Sequence, residues 1–309
     1  ITFKRDMERR GVPVQLCNVS DEARRIMDLV ELRGSEPPVA PLLRDEPIHP
    51  VEEVGRFAER ALKEVQALMV FIGGVIRSLI YSLCHPGEVR WADAAINMKR
   101  VGVQGLPIVA LISLLVGLII AFMSSLQLKP LGGDVFVAAL VGIAMVKELA
   151  PLMTAIIVAG RSGSAFAAEI GAMVVNEEVD ALRIMGFEPL RFLVVPRMIA
   201  VLAVVPLLTL YADFFGLLGG LVVGVLGLDL TVITYINQTG DAIALSDVAT
   251  GLGKSVAFAA IIAGSGCYQG LRVKRGAEGV GRAATSAVVS AIFFIVLADS
   301  IFAVVLHYL

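Results

Sequence analysis

Four charged residues, Lys147, Glu148, Arg161 and Glu169, stand inside an otherwise apolar stretch between Val135 and Met173. A charge at bilayer depth costs on the order of 3 kcal/mol, so charges that persist there face protein or a cavity and mark ion pairs, relays or ligand contacts. Arg161 can pair with Glu148 or Glu169, which satisfies buried charge and fixes helix register. The small residues Gly160, Ser162, Gly163, Ser164 and Ala165 permit the close helix packing that such a pair needs. Direct contact of Arg161 with a lipid headgroup is the second reading of the same residue. A third joins Glu148, Arg161, Glu169 and Asp213 into a proton or ion relay. The acidic, amphipathic segment from Asn176 to Phe187 follows at once. Asn176 has the chemistry of an N-cap, Glu177, Glu178 and Asp180 suit the positive end of a helix dipole, Arg183 suits the negative end, and Gly186 stands where a terminating glycine would. Val175, Val179, Leu182 and Met185 fall near one face. That ridge either packs a connector helix onto the membrane surface or inserts into a groove on a cytoplasmic partner.

The elements that must position these residues are membrane spans. A chain that is 57% hydrophobic and 17% charged, with 30 glycines and mean hydropathy +0.82, is an all-α polytopic membrane protein by composition. A net charge of −2 gives no basic field for nucleic acid, so that partner class is excluded. Val101–Ser125 carries no charge over 25 residues, enough to cross ~30 Å of hydrocarbon. Further spans are expected at about 134–173, 192–228, 253–271 and 283–306, the third interrupted by Pro196, Pro206 and Asp213 and so either one long kinked helix or two short ones. Residues 51–84 repeat apolar positions at steps of three and four and are heavily charged in their first half. With Gly73, Gly74 and Arg77 where hydrocarbon would be deepest, this helix is expected in the interface, which leaves five spans, with a sixth only if it crosses. Leu111, Leu114, Leu115 and Leu118 of the first span are candidates to line a lipid path, although the same stripe can face the bilayer.

Arg90, Lys99, Arg100, Arg183, Arg191, Arg197, Arg272, Lys274, Arg275 and Arg282 fall before the first span or in alternate loops, whereas the opposite loops hold Lys129, Asp134, Asp229, Asp241 and Asp247. The positive-inside rule then sets the N-terminus in the cytoplasm and the C-terminus outside. Before the membrane part, residues 1–34 read as a strand and a capped helix, a short α/β fragment too small to bury a core. Five prolines make 35–50 a semi-rigid linker. The start at Ile1 suggests a truncated chain.

Cys17, Cys84 and Cys267 form no CxxC pair, and His49, His85 and His307 have no ligand partners at metal spacing, so no metal site is expected. Gly251–Ser255 reads GLGKS, but a phosphate-binding loop would need glycine at Val248 and a preceding strand. No nucleotide site is expected in this chain.

The run VKELAPLMTAIIVAGRSGSAFAAEIGAMVVNEEVDALRIMGFEPLRFLVVPR, residues 146–197, closely resembles the signature region of the MlaE (YrbE) family of ABC transporter permeases. It carries KELAP at 147–151, AGRSGSA at 159–165, AEIGAM at 168–173, the segment from Glu177 to Gly186, and the Pro189–Arg197 stretch; a weaker likeness runs from about residue 55 to the C-terminus. The resemblance implies a homodimeric permease of the bacterial inner membrane with an interfacial helix and five spans per subunit. It implies a coupling helix at about 175–186, with Val175, Glu177, Glu178, Val179, Asp180, Leu182, Arg183 and Met185, seated on a cytoplasmic ABC ATPase that holds the ATP and Mg. It further implies phospholipid or a related lipid as cargo and an MCE-domain protein as periplasmic partner. Residues 1–34 resemble the end of the STAS-like domain that precedes some members. No inverted repeat supports the rival class, an ion-coupled secondary transporter.

Overall fold

The computed structural model describes residues 50–131, 133, 136–274 and 276–308. The expected α/β fragment and, apart from Pro50, the linker lie outside these residues. Two compact units are formed, 1–63 and 64–309. What is described of the first is the start of helix α1 (Pro50–Cys84), where Lys63 pairs with Glu59 at 2.7 Å.

The described residues of the second unit form helices joined by short turns, with no strand among them. They continue α1 and add α2 (Trp91–Leu128), α3 (Phe136–Val175), α4 (Glu178–Ile184), α5 (Leu190–Gly227), α6 (Val232–Ala242), α7 (Leu245–Leu271) and α8 (Ala277–Tyr308). Among the described residues, six helices are long and apolar enough to cross a membrane: the five expected spans and, within α1, Leu62–Cys84. The third span is one helix and not two, with Pro206 inside it. At 40 residues, α3 extends about 60 Å, twice the hydrocarbon thickness.

Two prolines shape these helices. Pro151 and Pro196 each stand two residues past the end of a widened π turn, Met145–Leu149 in α3 and Leu190–Val194 in α5. Proline has no N–H to donate, and a π turn absorbs the interruption without breaking the helix. A second π turn in α3 covers Ala159–Gly163, so both motifs KEL and AGRSG sit on widened backbone.

Helix α5 is the hub: 61% of its most apolar window is buried, against 11% for α8. Its partner α2 runs parallel to it and presents Val101, Gly105, Val109, Ser113, Gly117, Ala121 and Ser125 at every fourth position. These side chains are small because the backbones touch. A Cβ on Gly117 would meet the Gly216 carbonyl oxygen at 1.9 Å, and one on Gly219 would meet that of Leu114 at 2.1 Å. This is the small-residue contact by which spanning helices associate. One core joins α3, α5, α7 and α8 around Phe166, Ile170, Phe258 and Ile262, and a second joins α2, α3 and α5 around Val109, Val141, Met145 and Ala212.

The ends of the bundle differ. At one end lie α4 and the starts of α2, α5 and α8; α1 meets this end through Glu64–Arg272 (3.5 Å), Phe71–Tyr268 (rings 5.2 Å apart), Gly74 against Leu190, and Tyr81 under Arg191 (3.8 Å). At the other end is α6, which the sequence reading treated as loop. It wedges Tyr235 against Gly220 and Gly224 of α5, and burial pushes the tyrosine phenol up to about 12, so it stays a hydrogen-bond donor toward the Leu217 carbonyl at 3.5 Å.

Candidate functional site

The polar spine exists, but its partners are not those expected. Residues eight and thirteen apart on one helix lie about 12 and 20 Å apart, so Arg161 reaches neither Glu169 nor Glu148. Each charge of α3 is instead met by a different helix.

Toward the α6 end, Lys254 of α7 lies between Glu148 Oε2 at 2.5 Å and Asp299 Oδ1 of α8 at 3.0 Å. The lysine is 1% exposed, so both carboxylates are needed to offset its desolvation. It belongs to the GLGKS stretch and here supplies a buried cation between α3 and α8. Lys147 turns to Asp247 at 3.1 Å, and Asp247 also accepts the Ala244 N–H at 3.1 Å, fixing the first turn of α7. Asp213 of α5 joins neither cluster: it is 9% exposed, and its Oδ1 has no hydrogen-bond partner among the described residues.

Toward the α4 end, Glu169 is held by Arg197 of α5 at 3.1 Å and by Arg100 of α2. Arg197 also donates to the Leu193 carbonyl at 2.8 Å, which ties the ion pair to the π turn that starts α5. Arg161 donates to the Gln104 side-chain oxygen at 2.9 Å and to the Gln104 carbonyl. It has no acidic partner among the described residues. Arg100, Gln104 and Arg161 are exposed on one face of the subunit.

Below this cluster α4 forms a short, terminated helix, as expected, with a different start. Asn176 closes α3, its N–H donating to Ala172; it does not cap α4, whose N-cap is Glu177 at φ 60°. The Asn176 amide reaches Glu178 at 3.2 Å instead. The other end matches the sequence reading: Gly186 has φ +83°, its N–H donates to Arg183, and the Phe187 N–H donates to Leu182, a Schellman stop. Of the expected ridge, Val179 and Leu182 are buried against Leu193, Val174 and Phe192 and are not free for a partner, while Val175 is half-buried. The exposed apolar residues are Ile184, Met185 and Phe187, beside Glu177, Glu178, Asp180 and Arg183, the last paired with Asp180 at 3.0 Å.

The leucine stripe splits. Leu111 and Leu115 are exposed, while Leu114 and Leu118 are half-buried where α2 meets α5. No group of three or more potential metal ligands occurs among the described residues.

Comparison with known proteins bears on this arrangement. Residues 95–305 match the family described as Permease MlaE. A probable ABC transporter permease protein of Rickettsia typhi is 37% identical over 199 residues, 64% of this chain and 77% of that protein. One of Synechocystis is 35% identical over 213 residues, 69% of this chain and 81% of its own length. Protein TRIGALACTOSYLDIACYLGLYCEROL 1, chloroplastic, of Arabidopsis thaliana is 34% identical over 215 residues, covering 69% of this chain and 61% of the plant protein. The matched region takes in both ionic clusters and α4, and with six helices long and apolar enough to span, this multi-pass membrane protein belongs to the MlaE family of ABC transporter permeases.

Proposed function

We propose that this chain is the membrane subunit of a transporter that moves phospholipids or related lipids between the bacterial inner membrane and an MCE-type periplasmic partner, as a homodimer driven by a separate cytoplasmic ATPase. ATP and Mg belong to that ATPase, and this subunit is not itself catalytic. The observation that carries the reading is α4. A seven-residue helix, closed by a Schellman stop and clamped to its own subunit through Val179 and Leu182, presents Ile184, Met185 and Phe187 outward among acidic residues. Such a rigid knob transmits force between partners in a way that a mobile loop does not.

Orientation follows from charge. Lys99, Arg100, Arg183, Arg191, Arg197, Arg272, Lys274 and Arg282 belong to the α4 end, whereas the α6 end has Lys129 and Lys147 with Asp229, Asp241 and Asp247, which favours a cytoplasmic α4 end. An interfacial α1 is supported by its contacts: from Glu64 to Tyr81 it meets Leu190, Arg191, Tyr268 and Arg272, all at the α4 end. The exposed apolar faces of α2 and α8, with Leu111, Leu115, Phe293 and Leu297, suit lipid and a second copy of the chain. Lipid as cargo agrees with the Arabidopsis relative, whose name is that of a galactolipid.

The test is reversal of charge at Glu177, Glu178 and Asp180 together with Met185→Glu. We expect loss of ATPase binding or of ATP-driven lipid transfer, and wild-type transfer with the ATPase still bound would refute the role of α4. The Glu148–Lys254–Asp299 cluster, with its buried lysine, and the lone Asp213 favour a second reading, an ion-coupled transporter. Lipid or solute movement driven by an ion gradient without ATP would select it.

A further inference from the structure

We propose that Arg161 and Arg100 form a binding site for the phosphodiester headgroup of a lipid held one helical turn below the membrane surface at the α4 end. The proposal rests on the lipid reading above and names a place where the cargo is first grasped.

Three observations carry it. First, the local charge does not balance. Arg100 and Arg197 share the one carboxylate of Glu169, and Arg161, with no acidic partner among the described residues, bonds to the neutral Gln104, so this face of α2 and α3 carries more cation than anion. Second, Arg161 is fixed by a neutral group. Two of its five N–H donors go to Gln104, and the others have no partner among the described residues and lie on an exposed face. A structural arginine in a membrane helix would be expected to take a carboxylate, yet Glu169 and Glu148 lie about 12 and 20 Å away along α3, and no other helix offers Arg161 an acid among the described residues. Third, the position suits a headgroup. Arg100 is the last charge before the uncharged run of α2, and Gln104 lies one turn, about 6 Å, further in. Gly160, beside Arg161, opens onto empty space, and Val103 and Ile108 expose apolar surface next to Gln104, where acyl chains would run. The planar guanidinium fork matches phosphate oxygens bidentately, and low dielectric strengthens the contact.

The test uses the full chain with its ATPase in nanodiscs of phosphatidylglycerol and phosphatidylcholine, doped with a phosphatidylglycerol that carries a diazirine on its headgroup. We expect cross-links at residues 100–108 and 160–164, reduced about tenfold in Arg161→Gln, reduced in Arg100→Gln, and partly restored in Arg161→Lys. Melting temperature and ATPase co-purification report whether each variant is folded. A diacylglycerol carrying the same diazirine should not label the site, and excess inorganic phosphate should not displace the lipid. Equal labelling of folded wild type and both Gln variants would overturn the site and leave the lipid permease reading standing. Displacement by inorganic phosphate would overturn the lipid assignment. Absence of any lipid labelling across the whole wild-type protein would overturn both.

Discussion

Lys254 condenses the residue-scale account. Its side chain is buried, and its partners among the described residues are Glu148 and Asp299. Removing one partner of a buried pair leaves an uncompensated charge and costs about 3–5 kcal/mol, whereas replacing the whole set by apolar or neutral isosteres is often neutral. We therefore expect Glu148→Gln/Asp299→Asn, which strands the buried lysine, to lower the melting temperature of the purified protein sharply, and Glu148→Gln/Lys254→Met/Asp299→Asn to recover most of the loss. Asp213, buried with an unpartnered oxygen, has the opposite expectation: Asp213→Asn keeps the shape, removes an uncompensated ionisable group, and should leave the melting temperature unchanged or higher. At this scale the sequence revealed half of the site. Lys147, Glu148, Arg161 and Glu169 stand out as charges in an apolar run. Their partners do not, because Lys254 is disguised by a glycine-rich surrounding and Asp299 is a single acid near the end of the last span. The expected Arg161–Glu pairing failed for a simple reason: helical rise separates residues of one helix too far, so partners had to come from α2, α5, α7 and α8.

The elements were legible where periodicity or charge silence is strong. The first span and the terminated helix after the second are examples. The π turns were not, since they arise from Pro151, Pro196 and the Gly160–Gly163 stretch acting within long helices, a three-dimensional accommodation with no periodic signal. Helix α6 was missed because it is short and polar, with Thr234, Asn237, Gln238, Thr239 and Asp241 among its residues. The α2–α5 contact makes a sharp prediction. Gly219→Ala puts a methyl 2.1 Å from a backbone oxygen, while a Cβ on Gly160 meets nothing within 4 Å. Thermal unfolding in detergent should show Gly219→Ala destabilised by about 1–3 kcal/mol and Gly160→Ala close to wild type. At the end of α4, Gly186→Ala forces a side chain into a φ of +83°, with an expected cost of about 1 kcal/mol and weakened ATPase association.

For the whole molecule, the account requires that one end of the bundle face the cytoplasm with α1 lying beside it. Single cysteines at Glu59 and Glu278, in a background with the native cysteines replaced, should react with a membrane-impermeant thiol reagent only when inverted vesicles are used, and one at Asp241 only in intact spheroplasts. Glu59 labelled from the outside would mean that α1 crosses the membrane as a sixth span. The fold class was readable from composition and hydropathy because lipid permits so few architectures, but assembly was not, since the faces of α2 and α8 are equally apolar whether they meet lipid or a second copy. The central claim, an ATP-driven lipid permease, is tested most directly by native mass spectrometry of the chain in mild detergent after co-expression with its genomic neighbours. The account predicts two copies of this chain with two copies of an ATPase and bound phospholipid. A lone subunit carrying neither ATPase nor lipid, under conditions that keep other membrane complexes intact, would contradict it.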